Sequence, residues 1–169
     1  MSEFSRPFDT ARLPAGPQHL IASPQECAAL AKRFLLVSVG SLEADITLNS
    51  DGAAVRATGQ LKAEVVQSCA VSGEDLPVRI AEPVSLRFVP AQQHGADEIE
   101  LEAAELDEIE LDGTRFDLGE ALAQTLALAI DPYLEGPGAD EFRRKSGLLG
   151  EGEGGAFGAL KGLFDRDSE

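Results

Sequence analysis

Residues Leu42 to Val66 read LEADITLNSDGAAVRATGQLKAEVV, and the period of this stretch decides the fold. At its start Leu42, Ala44, Ile46 and Leu48 alternate with Glu43, Asp45 and Thr47. At its end Val55, Ala57, Leu61, Ala63 and Val65 alternate with Arg56, Thr58, Gln60, Lys62 and Glu64. Successive side chains of a strand point to opposite faces, so each run has one apolar and one polar side. NSDG between them is turn chemistry, and the pair reads as a β-hairpin. A sheet wetted on one face is expected to be antiparallel.

Working downstream, PVRIAEP (77–83), VSLRFVP (84–90), DEIELE (97–102) and DEIELDG (107–113) read as further strands. Val84, Leu86 and Phe88 alternate, as do Ile99 with Leu101 and Ile109 with Leu111. The acidic run from Asp97 to Glu120 contains Arg115 as its only base. A solvated strand face beside a buried one accounts for it, with a cation or protein site as the rival reading.

Upstream, SPQECAALAKRF predicts a helix over 24–34. Ser23 is a good N-cap, Pro24 suits the first helical position and Glu26 completes a capping box. Cys27, Leu30, Ala31 and Phe34 fall at helical spacing, which makes Cys27 a small apolar helix residue rather than a reactive thiol. The segment before Leu20, with Phe4, Phe8 and Leu13, reads as an edge strand. A second helix is predicted over DLGEALAQTLALAI, with Asp117 as cap, Glu120 at the capping-box position, and Pro132 beyond its end. Leu118, Leu122, Thr125, Leu126, Ala129 and Ile130 form its apolar stripe.

The expected class is therefore α+β: an antiparallel β-sheet of about five to seven strands with two packed helices and a flexible C-terminal tail. Residues 1–140 read as one domain, and 141–169 as a Gly-rich acidic linker and tail. Within the tail, residues 156–164 (AFGALKGLF) cluster Phe157, Leu160, Leu163 and Phe164 around Lys161. Apolar side chains in a segment without its own core need a surface to bury against. On a helix Phe157, Leu160 and Phe164 share a face, the spacing used by helix-in-groove ligands. Docking on its own domain and docking on a partner both fit.

Composition narrows the functional classes. Thirty acidic against fourteen basic residues give a formal charge of −16 over 169 residues. That excess disfavours a grip on DNA or naked RNA, which needs clustered Lys and Arg. It suits basic partners, or solubility alone. No apolar run approaches the roughly 20 residues that span a bilayer. No secretory signal is read at the N-terminus, and the cytoplasm is the expected location. Cys27 and Cys69 are too few for a disulfide framework or a zinc site, so no metal and no cofactor are expected. Cys69 shares the odd parity of Val65 and should be inward or half-buried. His19 and His94 lack neighbours at metal-ligand spacing and read as surface residues.

GEGEGG (150–155) matches a dinucleotide-loop pattern only formally, since no strand precedes it and its acids would repel a pyrophosphate. The glycines at 154, 158 and 162 mimic a membrane helix-dimer motif in too short a segment. No catalytic residue is assigned.

Several stretches together resemble the YceD family: EFSRPFD, LVSVGSLEADITL, GQLKAEVVQSCAVSGEDLPV, EPVSLRFVP, IELDGTRFDLGEALAQTLALAIDPY and FGALKGL. EVVQSCAVS and FGALKGL are similar to the alphaproteobacterial branch. The resemblance implies a non-enzymatic cytoplasmic factor in synthesis, processing or stability of 23S (large-subunit) ribosomal RNA. It implies ribosome-assembly particles, or a basic large-subunit ribosomal protein, as partners. Two other classes compete: a generic acidic adaptor unrelated to ribosomes, and a magnesium-dependent RNA-processing hydrolase using the 97–120 carboxylates. Members of the family often carry C-x-R-C where this chain has Cys69, Val71 and Ser72, so a metal role of such relatives is not implied here. One thiol cannot close a tetrahedral site. The tail residues Phe157, Leu160, Lys161, Leu163 and Phe164 are the candidate partner-binding side chains.

Overall fold

The structure, a computed structural model, describes residues 2–90 and 108–147. They fall into two compact units, one of residues 2–66, 77–90 and 108–131, the other of 67–76 and 132–147. The expected strand at 97–102, His94, the 150–155 run and the tail residues 156–164 lie outside the described residues.

In the first unit the quoted stretch is a long hairpin. Strand β3 (Ser38–Asp51) and β4 (Ala54–Ser68) pair antiparallel, from Asp51 opposite Ala54 to Ser38 opposite Val66. Gly52 turns the chain at positive φ, a conformation that suits glycine. Glu43 faces Lys62 and Asn49 faces Arg56 on the wet side, while Leu42, Ile46, Leu61 and Val65 are buried. A bulge at Gly40 shifts the register between Val39 and Ser41.

The segment before Leu20 yields two short strands: β1 (Pro7–Asp9), and β2 (Pro17–Ile21) paired antiparallel to β3. The two downstream strands expected at 77–83 and 84–90 are a single strand β5 (Asp75–Pro90). Pro83 lies within this strand without ending it. Among the described residues β5 has β6 (Glu108–Leu111) beside it only from Arg87 to Pro90. That pairing is parallel, not antiparallel as expected. The strand order is β2-β3-β4-β5-β6, and β1 pairs separately with β7 (Arg115–Asp117).

Helix α1 (Pro24–Arg33) starts with the expected capping box between Ser23 and Glu26. It ends through Leu35 at φ +56, which lets Leu36 N–H reach the Ala31 carbonyl at 2.9 Å. Helix α2 (Leu118–Ala129) starts on Asp117, whose carboxylate accepts the Glu120 N–H at 3.1 Å. Both helices bury their apolar stripes, Leu30 of α1 with Leu118, Leu122 and Leu126 of α2, in one core with the inward side of the sheet. Phe116 joins that core by stacking between Phe8 and Phe88, its ring 4.3 Å from Phe88.

The N-terminal segment is strapped across the helices. Phe4 is buried, and Arg6 O accepts the Leu118 N–H at 3.0 Å. Arg6 grips Glu26 with both ends of its guanidinium, at 2.6 and 3.0 Å. Arg33 bridges Glu3 and Glu120. These hydrogen bonds, Arg6 on Glu26 and Arg33 on Glu120, hold both carboxyls down at about 2.

Carboxyls depressed in the fold stabilise it fully above their ordinary value of 4.5, and that stabilisation fades as pH falls toward 2. With both side chains partly exposed, about 2 kcal/mol each is expected to be lost over that window. The −16 charge acts oppositely above it, since self-repulsion relaxes as pH falls toward the pI of 4.4. Urea midpoints measured from pH 7 to 2 should therefore hold or rise to about 5 and then fall steeply. Arg6→Gln should flatten the fall. A steep decline already complete above pH 5 would contradict this assignment.

The second unit is built on the turn after β4 and on residues 132–147. It holds a third helix, α3 (Ala139–Lys145), where only two helices were expected. Gly138 caps it without a side-chain bond, and Asp140 and Glu141 precede Arg143, Arg144 and Lys145 in the order that favours the helix dipole.

Candidate functional site

The five tail residues, Phe157, Leu160, Lys161, Leu163 and Phe164, lie outside the described residues. Cys69 is described, and the second unit builds a small site around it. The chain leaves β4 and turns sharply. Cys69 N–H donates to the Glu74 carbonyl at 2.7 Å and Gly73 N–H to the Cys69 carbonyl at 3.0 Å, with Gly73 at positive φ. Ala70 N–H donates to Leu134 O at 2.9 Å and fastens this turn to the chain following α2.

Two backbone N–H groups then converge on the sulfur, from Ser72 and from Gly136, each at 3.3 Å. Cys69 is 4% exposed, in agreement with its parity. Hydrogen bonds from Ser72, then from Gly136, hold the thiol below its ordinary value. Donors aimed at one sulfur favour its thiolate. The Ser72 hydroxyl donates to Glu74 Oε2 at 2.9 Å. Among the described residues no three His, Cys, Asp or Glu are grouped to hold a metal ion.

Cys27 is the contrasting thiol. It is buried in the α1 face, 3.9 Å from the Ala22 carbonyl, and burial pushes its pKa up. Ultraviolet absorbance of the thiolate in the native protein should rise with a midpoint below the free-thiol value of about 8.5, and Cys69→Ser should remove that step. Cys27, equally buried, should add nothing to that step, because burial pushes its thiol up. A Cys69 midpoint near the free-thiol value, about 8.5, would show that the two N–H donors do not act on it.

Three described carboxylates of the acidic run, Glu108, Asp117 and Glu120, have structural duties. Asp117 caps α2 and accepts from Ser5 and from the Arg6 N–H. Glu120, expected in a capping box, reaches Arg33 instead, and Glu108 pairs with Arg87. His19 is exposed, as expected, with its Nδ1 2.7 Å from Asp45 Oδ1. The sequence reading missed Leu128, which is 89% exposed on α2. Its absence from the helical stripe was the available signal.

The class defined so far is a small α+β protein in which Glu108, Asp117 and Glu120 are engaged in caps and ion pairs. No helix among the described residues is long and apolar enough to cross a membrane. Residues 57–149, more than half of the chain, match the model of the family described as Large ribosomal RNA subunit accumulation protein YceD, and the chain belongs to that family. No curated protein and no solved structure matches it.

Proposed function

We propose that the protein is a non-enzymatic factor for synthesis, processing or stability of 23S ribosomal RNA, working in the cytoplasm through protein partners. The observation that carries this reading is the family match over residues 57–149. The charge of −16 supports partners that are basic, such as a large-subunit ribosomal protein or an assembly particle bearing one. Tail residues Phe157, Leu160, Lys161, Leu163 and Phe164 would supply apolar anchors for docking. The hydrolase alternative loses support from the roles of Glu108, Asp117 and Glu120, all three held in caps or ion pairs.

Sedimentation of tagged protein through ribosomal-particle gradients, over a salt series, tests the proposal. Comigration with large-subunit precursors is expected, weakening as salt rises. Protein that stays at the top of the gradient at every salt concentration would overturn it. Purified protein should bind a naked ribosomal-RNA fragment only in the micromolar range or weaker at physiological salt. Tight, salt-resistant binding would replace the protein-partner route with direct RNA contact.

A further inference from the structure

Strand β6 and helix α2 leave a groove between them within the first unit. One cavity of about 220 Å³ lies between Leu86, Ile109, Thr125 and Leu128. A second, of about 290 Å³, continues from it, since Ile109, Ala121 and Gln124 line both, and reaches Phe88 and Phe116. The floor is apolar. The rim carries Glu108, Glu110, Asp112, Asp117 and Glu120 against Arg115 alone. Glu108 and Glu120 are neutralised by Arg87 and Arg33, and Asp117 caps α2. Glu110 and Asp112 are exposed and form no ion pair among the described residues.

From this combination we infer that the groove is a docking site for a cationic amphipathic segment of a partner protein. Its apolar side chains would fill the two cavities and cover Leu128. Its Lys or Arg residues would meet Glu110 and Asp112. An apolar floor supplies affinity through burial, while the acidic rim selects the sign of the partner. The same charges reject nucleic acid. A second copy, itself at −16, meets like charge here. The chain's own residues 148–169, with five acids against two bases, are mismatched in the same way. The inference rests on the proposed action through basic partners and gives that action a surface.

The test uses the full chain and a fluorescein-labelled peptide of leucine and lysine, about 18 residues or five helical turns long, patterned with one apolar face. A scrambled peptide of the same composition reports attraction by charge alone. Fluorescence anisotropy should show the patterned peptide binding at least about tenfold more tightly than the scramble, a difference of 1.4 kcal/mol. Leu128→Ser, and the pair Glu110→Lys with Asp112→Lys, should each weaken patterned-peptide binding by about tenfold or more. All three positions are exposed, so circular dichroism and melting should match the wild type.

Equal binding of both peptides, or wild-type affinity in both variants, would overturn the inference. So would self-association of the wild type that Leu128→Ser abolishes while peptide affinity is unaltered. Particle gradients separate this result from the functional reading. If the wild type fails to comigrate while the peptide results hold, the ribosomal reading fails and the groove stands. If the wild type comigrates but the variants bind peptide unchanged, the groove fails alone.

Discussion

Replacing Gly59 with alanine is expected to destabilise the chain by about 3 kcal/mol or more. Gly59 lies in β4 opposite Ile46. A Cβ built there would sit 1.9 Å from the Asp45 carbonyl oxygen and 2.9 Å from its carbon. Those atoms are backbone, so no rotamer change can remove the overlap, and the two strands would have to part. β3 and β4 carry Leu42, Ile46, Leu61 and Val65 into the core, so parting them also disturbs the packing under both helices.

Gly40, in β3, is the internal control. Its added Cβ would meet the Glu64 carbonyl at 3.5 Å, an ordinary contact. Gly40→Ala should therefore lie within about 1 kcal/mol of wild type. Urea midpoints for the two variants decide the matter. If they coincide, the close approach at Gly59 is not what sets the spacing of the hairpin.

The hairpin was legible because alternation, turn chemistry and parity all agree there, and parity also placed Cys69 inward. The first two helices were legible from their caps. Helix α3 was not, since Gly138 offers no capping side chain and the helix has only seven residues. The unity of β5 was hidden by Pro83, which reads as a break until the strand's neighbours are known. Long-range partners were invisible for a different reason. Glu120 satisfies the local capping pattern, yet Arg33, 87 residues away, takes its carboxylate. The Gly136 N–H that reaches Cys69 comes from 67 residues away, and no local spacing could announce it. The acidic groove combines residues of β6 and α2 in the same manner. Local physics fixes strands and caps, whereas a site belongs to the tertiary contacts.

Deleting residues 156–164 is expected to abolish comigration with assembly particles while changing the melting temperature by less than about 2 °C. The apolar side chains of this stretch are mismatched with the composition around them. Phe157, Leu160, Leu163 and Phe164 stand within eight residues, between Gly-rich and acidic flanks. Gly158 and Gly162 each cost a helix about 1 kcal/mol, so helical order there needs the support of a binding surface. Three- and four-residue spacing of the aromatic and leucine anchors then matches helix-in-groove recognition, in which burying two or three such side chains dominates the affinity. Lys161 at the rim would add little by itself. Replacing Phe157 and Phe164 with serine should reproduce most of the deletion's effect, whereas Lys161→Gln should weaken comigration only slightly. A melting temperature lowered by about 10 °C would show that the segment packs on its own domain instead. Undiminished comigration of the deletion variant would remove the tail from the partner contact and leave that contact to the rest of the chain.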